Sequence, residues 1–570
     1  MHLDTATMDS LQSAISRDVM AFAPEMALCG AIVLLLVLRL FNVFNRLHLG
    51  WVALVASLAA LSLALDQWHG GYYGLKNPTD LVVAGNPNIF SGLLVYDNLT
   101  IFIRIFLLAF AVLVIGMTML TGIPDREDSG DFYALLLGAT LGMSIMASAN
   151  HLLMVFIGVE MASLPSYALA GFLKGKRQSS EAALKYVVYG GGASGVMLFG
   201  ISLLAGKFGT AYLPKVALGV VSKISEMGND PAGNSILILG MLFLLIGIAF
   251  KLAAVPFHFW CPDVFEGASA EVAGFLSVAS KGAALALLAR VVLLFGGLDK
   301  GLDALVLDPS AHLAAPDWHK VARYLVPALS FLAALTATFG NLAAYMQTNL
   351  KRLLAYSTIA HAGYMMMGLA TLSREGAAAV LFYLIAYLFM NLGAFACVAF
   401  LRNQIGSEDL ADCRGLSRRA PVLVFALAMF LLSLLGMPPL AGFAAKLKIF
   451  AAIYHGGEYY AGQGEMGLGV TLYALLAIGG FNTVLSAVYY IKVLKVMCID
   501  TSLDEVEGRS SPPLQVPGAS LGYAAVLALT LFLLLLFWNP LLKVSDAGVD
   551  RFKPHPEAAA APHEPREASR

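Results

Sequence analysis

Long apolar stretches recur down the chain, separated by polar connections, and their length sets the element type. A helix needs about 20 mostly apolar residues to cross the hydrocarbon of a bilayer. Fourteen stretches reach that scale: 21–44, 50–66, 97–121, 131–148, 150–172, 180–206, 234–260, 269–295, 321–346, 352–371, 376–401, 420–453, 467–497 and 518–540. They are too long, and alternate too little, for transmembrane β-strands. The pattern predicts an all-α polytopic membrane protein of about fourteen transmembrane helices. Segments 67–96, 207–233 and 298–320 read as extramembranous, and the Pro/Ala/Glu-rich stretch after Lys543 as disordered.

Two stretches carry breakers. The seventh reads GIAFKLAAVPFHFWCP with Pro256, and the twelfth reads LLSLLGMPPLAGFAAKLKIF with Gly436, Pro438 and Pro439. Proline removes a backbone donor and clashes with the preceding turn. In a membrane the freed groups must find neighbours or water. Interrupted spans in corresponding positions of two halves point to an inverted repeat with its site at the breaks. The predicted layout is therefore 1–128 (three helices), 129–297 and 298–500 (two inverted five-helix repeats), 501–544 (a last helix) and 545–570 (a disordered tail).

Composition supports the membrane reading, with 59% hydrophobic and 13% charged residues against about 25% charged in soluble chains. A net charge of −1 gives no reason to expect nucleic acid. Basic residues favour the odd-numbered connections: KGKR at 174–177, Lys351 and Arg352, then Arg402, Arg414, Arg418 and Arg419. The positive-inside rule puts those loops in the cytoplasm and both termini outside, in the periplasm. The polar N-terminus lacks a basic n-region, so no cleavable signal peptide is expected. The cysteines, Cys29, Cys261, Cys397, Cys413 and Cys498, are scattered without metal-ligand spacing, so no metal site is expected. The sequence has no phosphate-loop or HExxH motif and no G-x-G-x-x-G in a βαβ context; the run Gly190, Gly191 and Gly192 suits close helix packing or a hinge.

Five charges interrupt the apolar stretches: Glu160, Lys185, Lys251, Lys281 and Lys446. A charge near the bilayer centre costs about 2.5–3.5 kcal/mol on insertion scales, and such residues tend to face the interior and carry ions or protons. Four lysines point to protons rather than metals. Glu160 and Lys185 lie on adjacent spans and are predicted to pair. Making or breaking that pair would change the proton affinity of each, which is the physics of a gate, although a static ion pair is the plainer reading. Lys251 precedes the first break, Lys446 follows the second, and Lys281 is placed as the relay between them. His258 and His361 can link these groups, because imidazole titrates near neutral pH. Glu25 reads as interfacial at the entry of the first span, Glu271 likewise at the start of the eighth, and Arg104 has no partner that the sequence names.

FIGVEMASLPSYAL, SEAALKYVVYG, GIAFKLAAVPFHFWCPDVFEGA, QTNLKRLLAYSTIAHAGY and MNLGAFA resemble the proton-pumping antiporter-like subunits of respiratory complex I, NADH–quinone oxidoreductase, over residues 20–500. The resemblance implies fourteen helices, two inverted five-helix repeats and broken helices 7 and 12. It assigns proton translocation to Glu160, Lys185, Lys251, Lys281 and Lys446. It implies a multi-pass subunit of the bacterial inner membrane, assembled with neighbouring antiporter-like and small subunits. NADH oxidation and quinone reduction, with FMN, iron–sulfur clusters and quinone, would belong to partner subunits, and no cofactor to this one. Lysine at 446 and the short stretch after the last span argue against two other branches of the family. An Mrp-type cation/proton antiporter and a membrane-bound hydrogenase complex share the same core motifs. One departure is GASAEVAGF, where the family usually has a proline after the GA phrase and this chain has Glu271 nearby.

Overall fold

In lipid, a spanning segment must satisfy its backbone groups within itself, and each predicted apolar stretch is mainly helical among the described residues. The computed structural model describes residues 5–41, 48–70, 87–125, 127–226, 235–298, 318–501 and 512–552. The first part comprises α1 (Thr5–Ala21), α2 (Ala23–Arg39), α3 (Gly50–Trp68), the hairpin β1 (Asn88–Ile89) and β2 (Leu94–Val95), and α4 (Asn98–Thr121). Next come α5 (Ser129–Ser148), α6 (Leu152–Ala170), α7 (Arg177–Phe208), α8 (Leu213–Glu226), α9 (Ser235–Leu252), α10 (Trp260–Gly267) and α11 (Ala270–Phe295). The remainder is α12 (Trp318–Ala344), α13 (Leu350–Leu369), α14 (Arg374–Ile405), α15 (Pro421–Leu435), α16 (Ala441–Gly462), α17 (Met466–Cys498), α18 (Gly518–Leu536) and α19 (Trp538–Gly548).

Among the described residues, eleven helices are long and apolar enough to cross a membrane, or twelve if the pair bent by 68° between α1 and α2 is one span. The predicted fourteen is not reached on that measure. Polar residues dilute α13, and the twelfth stretch is split into α15 and α16. Two further expectations change. Segment 207–233 contains the amphipathic helix α8, which buries Leu213, Val216, Ala217, Val220 and Val221. The expected disordered tail is ordered as far as residue 552: α19 runs to Gly548, and Val549 and Phe552 are buried. Residues 553–570 and most of 298–320 lie outside the described residues.

Two helix units share one plan. In each, a first helix packs on a second through a glycine with no room for a side chain. A Cβ on Gly142 of α5 would meet the Ala162 backbone at 2.4 Å, and one on Gly340 of α12 would meet the Ala360 backbone at 2.6 Å. Such close approach is how membrane helices gain packing energy when lipid is as apolar as the protein. In each unit a long helix of 32 residues follows, α7 or α14, ending at a left-handed glycine, Gly209 or Gly406. The chain then returns to bridge the residue before the second helix, His151 with Tyr212 and Asn349 with Asp409. A broken helix and a last helix complete each unit.

The two bridges lie at opposite ends of the molecule, as an inverted repeat requires. Tyr212 and Asn150 bond Asn88 beside the hairpin, and Arg17 of α1 also reaches Asn88. Asn349 instead sits beside Lys351, which donates to the Ala268 carbonyl just ahead of α11. The central pillar is α11, whose apolar window is entirely buried, whereas the windows of α7 and α17 are only one-third buried and face outward.

Two buried ion pairs tie the first helices to the rest. Glu25, expected at an interface, is buried against Arg104 at 2.5 Å, and Arg104 also donates to the Ala21 carbonyl at 2.9 Å. Asp97, capping α4, accepts from Thr100 N at 2.8 Å, from Arg290 of α11 at 2.8 and 3.1 Å, and from Arg551 at 3.2 Å. Burial alone would raise the Asp97 pKa, but the two guanidiniums override it and hold the carboxyl well below its usual range. A depressed folded-state pKa contributes stability that is fully present above the unfolded value of about 3.9 and lost only as the pH falls through the folded value. The clasp should therefore stay intact through the neutral and mildly acidic range. Asp97→Ala leaves Arg290 buried without its carboxylate and should destabilise the fold by about 3–5 kcal/mol. Thermal unfolding in detergent checks this, and a melting temperature equal to the parent's would contradict it.

Candidate functional site

The two breaks predicted from proline are present, and both start earlier than the prolines. Helix α9 stops at Leu252, Ala253 takes a left-handed φ of 57°, and α10 starts at Trp260, so the seventh span is shorter than predicted. Helix α15 stops at Leu435, Gly436 takes φ 89°, and α16 starts at Ala441. Pro256, Pro438 and Pro439 lie within these interruptions.

Each break exposes a lysine to polar groups in a dry interior. Lys251, in the last turn of α9, is fully buried and donates to Ser163 Oγ of α6 at 2.9 Å. Lys446, in the second turn of α16, donates to the Leu435 carbonyl at 2.9 Å. That carbonyl is one of those left unpaired where α15 ends, and a cation suits the negative end of a helix dipole. The Lys446 ammonium also lies 4.7 Å from the ring centre of Tyr364. Between the two breaks along the chain comes Lys281, on α11. It is fully buried, and its Nζ has no hydrogen-bond partner among the described residues. Its nearest compensation is aromatic, with Trp260 at 5.3 Å and Phe265 at 5.6 Å. Immediately before it, Leu276–Ser280 forms a π-turn, a feature frequent at functional sites that no sequence pattern announced.

The predicted Glu160–Lys185 pair is not formed. Glu160 Oε1 instead accepts a short hydrogen bond from Ser194 on α7, and its charge acts on Lys251. Lys185 turns toward the end of the bundle, to Asp263 at 2.6 Å and Glu181 at 2.9 Å. Asp263 also accepts from Arg352 at 2.7 Å, and Arg352 reaches Glu266 at 2.6 Å. These groups line a polar cavity of about 170 Å³ that joins α7, α10 and α13. Burial works to raise the Asp263 pKa, but Lys185 and Arg352 hold it below the usual carboxylate range. The adjacent-helix argument found the right neighbourhood for Lys185 and the wrong partner. Asp263 lies far along the chain, in the HFWCPDVFEGA phrase, and proximity in sequence could not reveal it.

The histidines divide. His361 is buried beside Lys446, with Nδ1 2.7 Å from Tyr383 OH and Nε2 3.2 Å from Tyr490 OH. Tyr490 OH lies 2.5 Å from Ser357 Oγ, and the Tyr387 ring lies 5.3 Å from the imidazole, tilted by 35°. Asn341 links Tyr364, Tyr489 and Asn482 beside them. His258 packs between Phe259 and Phe339, and its Nδ1 has no hydrogen-bond partner among the described residues. No metal-binding cluster of His, Cys, Asp or Glu occurs among the described residues.

Known proteins resemble this chain over most of its length. The family model for the transmembrane part of NADH:quinone oxidoreductase and Mrp antiporter subunits covers residues 149–307 and 313–462. The NADH-quinone oxidoreductase subunit N of Anaeromyxobacter sp. (strain Fw109-5) is 40% identical over 94% of this chain and 98% of its own. The chain belongs to this antiporter-like family, in its subunit N branch. Subunit N 2 of Sorangium cellulosum (strain So ce56) is 38% identical over 94% of this chain and 97% of its own. A chain of respiratory complex I from Thermus thermophilus, 30% identical, superposes with TM-score 0.67 over 92% of this chain and all of that one. The Mrp complex of Dietzia sp. DQ12-45-1b, at 19% identity and TM-score 0.71, shares the fold.

An ammonium held without hydrogen bonds costs the fold free energy. Lys281→Met should therefore leave thermal stability equal to or above that of the parent, checked by unfolding of the purified subunit or complex. A lower melting temperature would show that Lys281 is structural.

Proposed function

We propose that this chain is a membrane-arm subunit of a proton-translocating NADH–quinone oxidoreductase, and that Glu160, Lys185, Lys251, Lys281 and Lys446 carry its protons. The observation that carries the reading is the fully buried Lys281 with no hydrogen-bond partner among the described residues, in a bundle with two further buried lysines at helix breaks. A purely structural protein has no use for such an uncompensated charge. The subunit itself performs no redox step. FMN, iron–sulfur clusters and quinone belong, on this reading, to partner subunits in the bacterial inner membrane. The basic face with residues 174–177 and Arg352 faces the cytoplasm, and the face with α1, the hairpin and α19 faces the periplasm.

The geometry supports a switch with two positions. In one, Lys185 is held by Asp263 and the carboxylate of Glu160 is left to act on Lys251. In the other, Lys185 swings to Glu160 and withdraws that field from Lys251. Charge displacements of a few ångströms in a low-dielectric interior are large enough to move protons. The proton passes from Lys251 through Lys281 toward Lys446, where His361 and its tyrosines offer the onward path. His258, packed among aromatic rings, is left out of the relay proposed from sequence.

The test uses the assembled complex in proteoliposomes, reading proton uptake against NADH oxidation. Lys251→Ala should lower the proton yield per NADH oxidised. Unchanged yield and turnover would remove the assignment. Asp263→Asn should weaken coupling less, because its partners remain half-exposed and solvent screens the pair. A parental proton yield in Asp263→Asn would remove the proposed switch.

A further inference from the structure

We propose that Glu271 collects protons at the mouth of an inlet running along the seam between α11 and α14 to Lys281, with Phe395 as its dry constriction. The inference rests on the proton-translocating reading and adds residues to it.

Glu271 begins α11 and is fully buried, yet its partner Arg402 lines a polar cavity of about 340 Å³ at the end of the bundle that carries Lys185 and Arg352. Arg402 Nη2 and Nη1 reach the Glu271 carboxylate at 3.0 and 3.4 Å. Lys351, itself paired with Glu408 at 2.8 Å, also acts here, and Lys176, Glu266 and Asp409 line the same cavity. One turn inward along α11, a Cβ on Gly274 would come within 3.2 Å of Phe395 of α14, and the Phe395 ring lies 6.0 Å from Phe265. The side chains that meet at this level, Phe395, Leu392 and Phe265, are apolar.

Beyond it the seam turns polar again. Asn391 Nδ2 donates to Ser277 Oγ at 2.6 Å, and Ser277 donates to the Gly274 carbonyl at 2.7 Å. Asn391 Oδ1, Ser280 Oγ and Lys281 Nζ are buried with no hydrogen-bond partner among the described residues. Three such atoms in one short stretch are what a few bound waters would satisfy. The stretch coincides with the π-turn at Leu276–Ser280. From Arg402 to Asn391 the path climbs about 16 Å of α14 at 1.5 Å per residue. A buried ion pair that only braced α11 to α14 would need nothing polar on the far side of Phe395. A carboxylate that loads a proton, with water beyond a narrow aromatic gate, would.

The experiment measures protons moved per NADH oxidised by the assembled complex in proteoliposomes, for Glu271→Gln, Glu271→Asp and Asn391→Leu, with Lys251→Ala alongside. The expected result is a lowered proton yield for Glu271→Gln, recovery in Glu271→Asp, and a lowered yield for Asn391→Leu. A parental yield in Glu271→Gln overturns the inlet. So does an assembled Glu271→Asp as impaired as Glu271→Gln, because a brace and not a titrating carboxylate would then be at work. If Glu271→Gln does not assemble, Asn391→Leu decides, and a parental yield there overturns the inlet. A parental yield in Lys251→Ala marks failure of the translocation reading itself rather than of the inlet.

Discussion

The cost of taking charge out of water governs this molecule. An ion with no partner in a low-dielectric medium is penalised so heavily that proteins pair it, hydrate it or do without it. Most buried charges here obey. Glu25 has Arg104, Asp97 has Arg290 and Arg551, and Glu271 has Arg402. The lysines along the middle of the bundle are held more thinly, by one hydroxyl, one carbonyl and a pair of aromatic rings. The fold accepts that strain because α11 is enclosed on every side and the helix breaks bring unpaired backbone groups to the same depth. Charges near the ends of the bundle are thus paired with opposite charges, whereas those in the middle are held by neutral groups.

The sequence announced the parts of this plan that depend on local physics. Apolar length placed the helices, and proline and glycine placed both interruptions to within a few residues. The isolated charges at 160, 251, 281 and 446 were legible because hydropathy makes an intramembrane lysine conspicuous. Partners were not legible. Lys185 bonds Asp263, and Arg290 bonds Asp97, across separations that only tertiary packing sets. Arg104 and Glu25 were each noticed alone and found each other only in three dimensions. The π-turn was invisible because it changes the winding of one turn without changing the residues that favour helix. Helix α8 was missed because its polar face makes the average composition of 207–233 resemble a loop.

The two repeats solve the same problem with different chemistry. Counted from the bridged residues His151 and Asn349, Ser163 of the first repeat and His361 of the second stand at the same depth in their helices. Ser163 offers Lys251 a single hydroxyl. His361 stands beside Lys446 with Tyr383, Tyr490 and, through Tyr490, Ser357, which makes a continuous set of exchangeable protons in side chains. A hydroxyl and an imidazole can each donate on one side while accepting on the other, so such a chain can hand protons along without admitting bulk water. The first repeat has no comparable chain among its described residues, and Tyr167, Tyr186, His258, Ser280 and Lys281 there keep buried polar atoms without partners. On the proposed reading, protons therefore travel by water in the first repeat and by side chains in the second.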